Sequence, residues 1–291
     1  MSDATTDTTI HDLGYRRYEG AREGVRGAWR ALFGQGFRAM FGLGRPLKSK
    51  AVPAFVLAAT MLPCLATLAA SSATKGQLPI MYGNLIESQL ILFVLFAAAQ
   101  APEVMSHDQQ HRVLPLMLTR EVTRDVYASA RLAAVLCALL VVCAAPLLLL
   151  YVGEIGIAAD PASAFTTMGT KAGPVLLQAT LTAWVIGAIG AAMASMTARR
   201  AYATASVIGV FLVAAAVSIG LDDLAGVSAD VARFIDPLRS LHTMALILFG
   251  EKNRAMELVP PPPLWMFALL AVALGALGVL ATFWRVRRVR V

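Results

Sequence analysis

His107 and His111 stand four residues apart around an acidic residue in the stretch HDQQH, so a helix through 107–111 would put both imidazoles on one face. That is half of a zinc hydrolase. Such an enzyme carries a glutamate after the first histidine as general base and draws a third protein ligand from elsewhere. Here the second position is Asp108, one methylene shorter, and the remaining histidines are His11, near the N-terminus, and His242, far along the chain. Glu103 is the nearest carboxylate of use as a third ligand, and nothing else recommends it. A metal-dependent intramembrane hydrolase on His107 and His111 is one reading, and a solvated polar stretch is the plainer expectation for HDQQH.

Two other features invite chemistry. GLGRPLKS, Gly42 to Ser49, looks like a phosphate-binding loop until its positions are checked. A P-loop needs Gly immediately before Lys so that the backbone can wrap the phosphates, and Leu47 holds that place, with no strand pattern before it. No cofactor is therefore expected on this chain, and any ATP-driven work must come from a partner that holds the ATP and Mg2+. Glu87 is the other feature, an acid inside an apolar run, where charges are functional candidates by default. It lies within about two turns of one end of that run, so water can reach it. Cys64, Cys137 and Cys143 form no metal-type spacing and read as small core residues.

These residues must be positioned by elements whose solvent is largely lipid. The chain is 58% hydrophobic and 15% charged over 291 residues, with a mean hydropathy of +0.67, against roughly 45–50% apolar and about 25% charged in an ordinary globular chain. Runs near the length needed to cross about 30 Å of hydrocarbon occur at 51–70, 85–101, 132–152, 174–196, 201–221 and 263–284. The fold class expected is an all-α membrane protein with six transmembrane helices. Glu87 is the one Asp, Glu, Lys or Arg inside those runs.

The net charge of +7 is best read by position. Residues 1–50 hold nine lysines and arginines and 102–131 hold four; Arg199 and Arg200 add two, and the 285–290 tail adds four of the 25. The alternate loops hold the rest and are outnumbered there by acids. Lys and Arg are retained on the cytoplasmic side, so both termini are expected there. This charge pattern belongs to a bilayer rather than to nucleic acid. No signal peptide is recognised before the first run, whose helix is expected to serve as its own insertion signal.

The regions between spans differ. Residues 1–20 read as a polar arm. Over 21–50, Val25, Trp29, Leu32, Phe33, Phe37, Met40 and Phe41 recur at three- and four-residue steps, interleaved with Arg22, Arg26, Arg30 and Arg38. This predicts an amphipathic helix lying in the membrane interface with its arginines toward lipid phosphates, although Gly34, Gly36, Gly42 and Gly44 weaken it. Residues 222–262 are too apolar for a free loop and predict two short re-entrant helices on the outer side, broken at Asp236-Pro237 and Gly250. Gly187, Gly190, Gly209, Gly275 and Gly278 mark spans that can approach closely, while Pro63 and Pro146 are expected to kink theirs. The inner loop, 103–130, carries Val113, Leu114, Leu116, Met117 and Leu118 flanked by His111, Arg112 and Arg120, the pattern of a short helix docked on a surface.

That loop also resembles a family. Pro102-Glu103, His107-Asp108, Arg112, Leu114-Pro115-Leu116, Arg120, Arg124 and Tyr127 are similar to the loop between spans two and three in the membrane subunits of ABC-2 type ABC transporters. The opening Ile10-His11-Asp12-Leu13-Gly14-Tyr15-Arg16-Arg17-Tyr18 looks like the start of one bacterial subset of these permeases. One departure is Asp108-Gln109-Gln110-His111, where relatives have a more basic turn. The resemblance implies a permease of the bacterial inner membrane, an exporter that hydrolyses nothing itself, with 51–291 as the transmembrane domain. It implies a coupling helix within 103–127 that docks in a separate ATP-binding subunit, present in two copies, and a second permease, identical or related. Glu103, His107, Asp108, Arg112, Arg120 and Arg124 are the polar contacts it implies, with Leu114, Leu116 and Met117 as the packing face. A non-transporting membrane scaffold is the remaining alternative.

Overall fold

The computed structural model describes residues 23–74, 78–110, 122–158, 161–222, 229–252, 256 and 260–288, without the side chains of 161–167, 222, 229 and 230. The helices in chain order are α1 Gly24–Met40, α2 Leu47–Ala73, α3 Tyr82–Met105, α4 His107–Gln110, α5 Arg124–Ile157, α6 Pro161–Met196, α7 Arg200–Asp222, α8 Ala229–Ile235, α9 Pro237–Phe249 and α10 Leu264–Arg288. No strand occurs among the described residues. Six of the helices are long and apolar enough to cross a membrane, namely α2, α3 with α4, α5, α6 from Met168, α7 and α10.

α2, α3, α5 and α7 outrun their apolar runs at both ends, α6 only at its start and α10 only at its end, because a polar turn outside the hydrocarbon costs a helix little once its backbone bonds are closed. α5 shows this well: Thr123 caps it, its Oγ1 accepting from Val126 N at 3.3 Å, and Arg131 sits two turns in rather than before the helix. The centre of the bundle is α6, packed on α3, α5, α7 and α10. Its apolar segment is 72% buried, against 28% for α2, 17% for α7 and 22% for α10. Those three outer helices thus keep an apolar face that no other described residue covers.

Glycine sets the closest approaches. A Cβ at Gly275 of α10 would lie 1.9 Å from Trp184 Nε1, and one at Gly278 would lie 2.6 Å from the Ala188 backbone, both on α6. Gly187 meets Leu136 of α5 and Gly190 meets Ala97 of α3, whereas Gly209 faces open space. Pro63 and Pro146 lie inside continuous helices.

The segment expected as one helix over 21–50 is divided. α1 stops at Met40, a turn follows, and α2 starts at Leu47, so 47–50 belong to the first long helix. Gly42 and Gly44 are the reason: both have positive φ, 65° and 82°, and a Cβ at Gly42 would lie 2.6 Å from Ser49 O. The glycines build a turn instead of merely weakening a helix. α1 buries Leu32, Gly36 and Met40 against α5 and α3, and Trp29, Phe33, Phe37 and Phe41 stack along it to reach Phe96 of α3.

Between α7 and α10 the described residues include the short helices α8 and α9. Asp236 caps α9 by accepting from Leu238 N at 2.9 Å, Pro237 takes the first position where its missing N–H is harmless, and Gly250 closes the helix in the left-handed region. Ser240 to Leu246 of α9 are buried against α3, α6 and α10.

Candidate functional site

The end of the bundle that carries α1 gathers four of the described candidates, Glu103, His107, Asp108 and Arg124. α3 and α4 are fastened to the end of α6, with Ser106 Oγ donating to Ala194 O at 2.6 Å and Gln109 Nε2 to Ser195 O at 3.2 Å. That corner fixes Asp108, which is only 7% exposed. Its Oδ2 accepts from Arg131 Nη2 at 2.6 Å and from the Tyr127 hydroxyl at 2.9 Å, both on α5. Arg131 is buried too, and its guanidinium reaches Leu32 O at 3.4 Å and Gln35 Oε1 at 3.3 Å on α1. One ion pair therefore joins α1, α4 and α5. A buried charge must be paired and bonded to persist, and this one is.

Glu103 does the same on the last turn of α3. Its carboxylate pairs with Arg45 from the α1–α2 turn and with Arg200 at the start of α7. Arg124 donates to Arg287 O at 2.5 Å, and Arg287 grips Asp125 with bonds of 2.8 and 3.0 Å, tying α5 to α10. His107 lies at the edge, half-exposed, with Nδ1 3.7 Å from Asp108 Oδ1.

HDQQH is thus not a solvated stretch at Asp108, and the reason is Arg131. The same burial withdraws Asp108 from the surface where a docking partner could touch it. Glu103, Asp108 and Arg124 are anchors for the segment between them, while His107 keeps access to solvent. His111, Arg112, Leu114, Leu116, Met117 and Arg120, like the arm at 1–20, lie outside the described residues. Arg131 and Gln35 were missed from the sequence. The available signal was an arginine followed at once by twenty-odd residues without charge, read there as the end of a loop.

A zinc site does not assemble on the described part of this end. The Asp108 carboxylate is committed to Arg131 and Tyr127, and no group of three His, Cys, Asp or Glu converges among the described residues. Residues 103–110 and 122–131, the two ends of the segment 111–121, are each bonded into the bundle.

The opposite end holds Glu87. Its carboxylate is 63% exposed and stands 3.6 Å from His242 Nε2 of α9, on the wall of a cavity of about 480 Å³ shared with Ser218, Arg233, Asp236 and Arg239. Burial holds the His242 imidazole below its ordinary range, and Glu87 opposes that shift. Beside it, Glu154 of α5 takes Lys171 at 2.6 Å and the Tyr82 hydroxyl at 2.7 Å, and Glu251 accepts from Gly83 N at 3.0 Å at the start of α3. Burial raises the Glu251 carboxyl, with the α3 amides of residues 82–84 pulling the other way.

Compared with protein-family models and with curated proteins, the sequence matches none.

Proposed function

We propose that the protein is the permease subunit of an ATP-driven ABC-2 type transporter, an exporter working in the inner membrane of a bacterium with both termini in the cytoplasm. ATP and Mg2+ bind two copies of a separate ATP-binding subunit, and a second permease, identical or related, completes the pathway. The observation that carries this reading is the clamping of both ends of 111–121. Asp108, Arg131 and Tyr127 bind them to each other and to α1, while Glu103 binds the α3 side to the α1–α2 turn and to α7. A coupling helix within 103–127, docked in a partner, would pass its displacement to α1, α3, α5 and α7 together. A coupling element requires such a rigid connection, and a free loop has no use for it.

The experiment co-purifies the permease with its candidate ATP-binding subunit after Leu114 and Leu116 are replaced by aspartate. The expected result is loss of the complex and of permease-stimulated ATP hydrolysis, with the six-helix protein still recovered from the membrane. Unchanged binding and stimulation would overturn the proposal.

A further inference from the structure

We propose that the cleft between α1, the α1–α2 turn and the end of α3 binds the phosphate headgroup of an anionic phospholipid. The cleft holds about 630 Å³. Arg30, Gly34 and Arg38 line it from α1 at four-residue steps, which places them on one face of that helix. The glycine leaves bare backbone between two guanidinium groups, and a Cβ there would meet nothing within 4 Å. Arg45 closes the other side, and Arg131 forms the buried floor with its Nε lacking any hydrogen-bond partner.

Charge accounting gives the sign of the ligand. The two acids on the wall are already matched, Asp108 by Arg131 and Glu103 by Arg45 and Arg200. Arg30 and Arg38 have no carboxylate partner among the described residues. A planar guanidinium fork fits phosphate oxygens in pairs, so a phosphodiester held between the two supplies the missing negative charge. The ligand's other half follows from the mouth. Leu43, also on the wall, is 52% exposed and Leu47 beyond it is 83% exposed, at the start of the least buried stretch of α2. A headgroup in the cleft has acyl chains to lay along that apolar face, which a free phosphate does not. This site is independent of the transport reading and requires only that the helices stand in a bilayer.

The test uses the full chain alone in mild detergent. Retention of phosphatidylglycerol, phosphatidylcholine and inorganic phosphate is compared by native mass spectrometry and by thermal stabilisation. Phosphatidylglycerol is expected to be retained about tenfold more strongly than phosphatidylcholine, and inorganic phosphate is expected to give no stabilisation. Two variants should abolish that preference by different routes. Arg30→Gln with Arg38→Gln removes the two cations that lack a carboxylate partner, and Gly34→Leu fills the cleft from a position where an added Cβ meets nothing within 4 Å. Arg26→Gln, on the same helix but off the cleft wall, should leave retention unchanged. Equal loss in Arg26→Gln would show diffuse attraction to a basic helix and overturn the proposal, as would retention that both cleft variants leave intact. Stabilisation by inorganic phosphate alone would replace the lipid with a free anion.

Discussion

Replacing Asp108 by asparagine keeps the shape of the side chain and removes its charge, which leaves Arg131 buried without a counterion. The size of the effect follows from the geometry. The pair closes at 2.6 Å with Arg131 and Asp108 both under a tenth exposed, and charge centres about 4 Å apart attract by roughly 4 kcal/mol at an effective dielectric near 20. Breaking a buried pair from one side typically destabilises by about 3–5 kcal/mol. Asparagine still accepts one bond, so about 3 kcal/mol is expected, a large part of the roughly 5–15 kcal/mol that holds most proteins folded. Tyr127→Phe should remove only about 1 kcal/mol, because Oδ2 keeps its bond to Arg131. Asp108→Asn combined with Arg131→Met deletes both charges and should recover about 2 kcal/mol of the single variant's loss. Reversible unfolding in a detergent–SDS mixture reads these differences. Trp29 is a local reporter, since its Nε1 donates to Ser129 Oγ on α5 at 3.1 Å, so a variant keeping only that tryptophan would show α1 leaving α5. A loss under about 1 kcal/mol in Asp108→Asn, or a double variant no more stable than the single one, would refute the view that this pair anchors the loop.

His242 should make stability pH-dependent. Burial keeps the proton off in the folded state while the unfolded chain takes it up, so stability present at neutral pH is lost as pH falls below the ordinary histidine range, about 6.5. Melting in detergent between about pH 7.5 and 5 checks this: His242→Gln should flatten the slope, and Glu87→Gln, by removing the opposing attraction, should steepen it. Gly278→Val drives a Cβ into the Ala188 backbone and should destabilise by about 1–3 kcal/mol. Gly209→Ala, in open space on a helix, should be neutral or stabilising by less than about 1 kcal/mol in the same unfolding assay. Glu103→Gln releases two partly exposed arginines and should reduce stability by only about 1 kcal/mol. Its sharper signature is faster amide exchange in the 41–46 turn and at 198–200.

What could be read from the chain alone divides along the range of the interactions. The six apolar helices and the break before α9 rest on local chemistry: length without charge, an Asp-Pro cap and a glycine stop. Each is contained in a few consecutive residues. The division of 21–50 was also local, but glycine's meaning depends on its φ. Gly34 and Gly36 sit inside α1 while Gly42 and Gly44 turn the chain, and sequence spacing does not distinguish them. Asp108 illustrates the limit. Its partner lies 23 residues away across the segment 111–121, and the pairing exists only because α4 is fastened to α6 at Ala194 and Ser195. Glu103 is harder still, since Arg45 and Arg200 reach it from opposite directions along the chain. Such contacts depend on tertiary packing, and without it HDQQH reads as polar surface.

The placement of charges on α3 bears on how a docked loop would do work. Glu87 and Glu103 are sixteen residues apart, about 24 Å along the helix. One faces the cavity beside His242, the other holds Arg45 and Arg200. Between them α3 is packed on α2, α5, α6 and α7, and Gln89 donates to Thr60 O and Cys64 Sγ of α2, both at 3.2 Å. Close packing resists bending along the helix, which favours movement of the packed stretch as a unit. In the proposed transporter, a displacement delivered at 103–110 would therefore reappear at Glu87, where the neighbour that must yield is α9. That helix is 13 residues long and held by an aspartate cap at one end and a glycine stop at the other, so it can move as a unit without breaking a long helix. In that reading, the cavity at Glu87 and His242 is the part of the far end most directly exposed to work done on the loop.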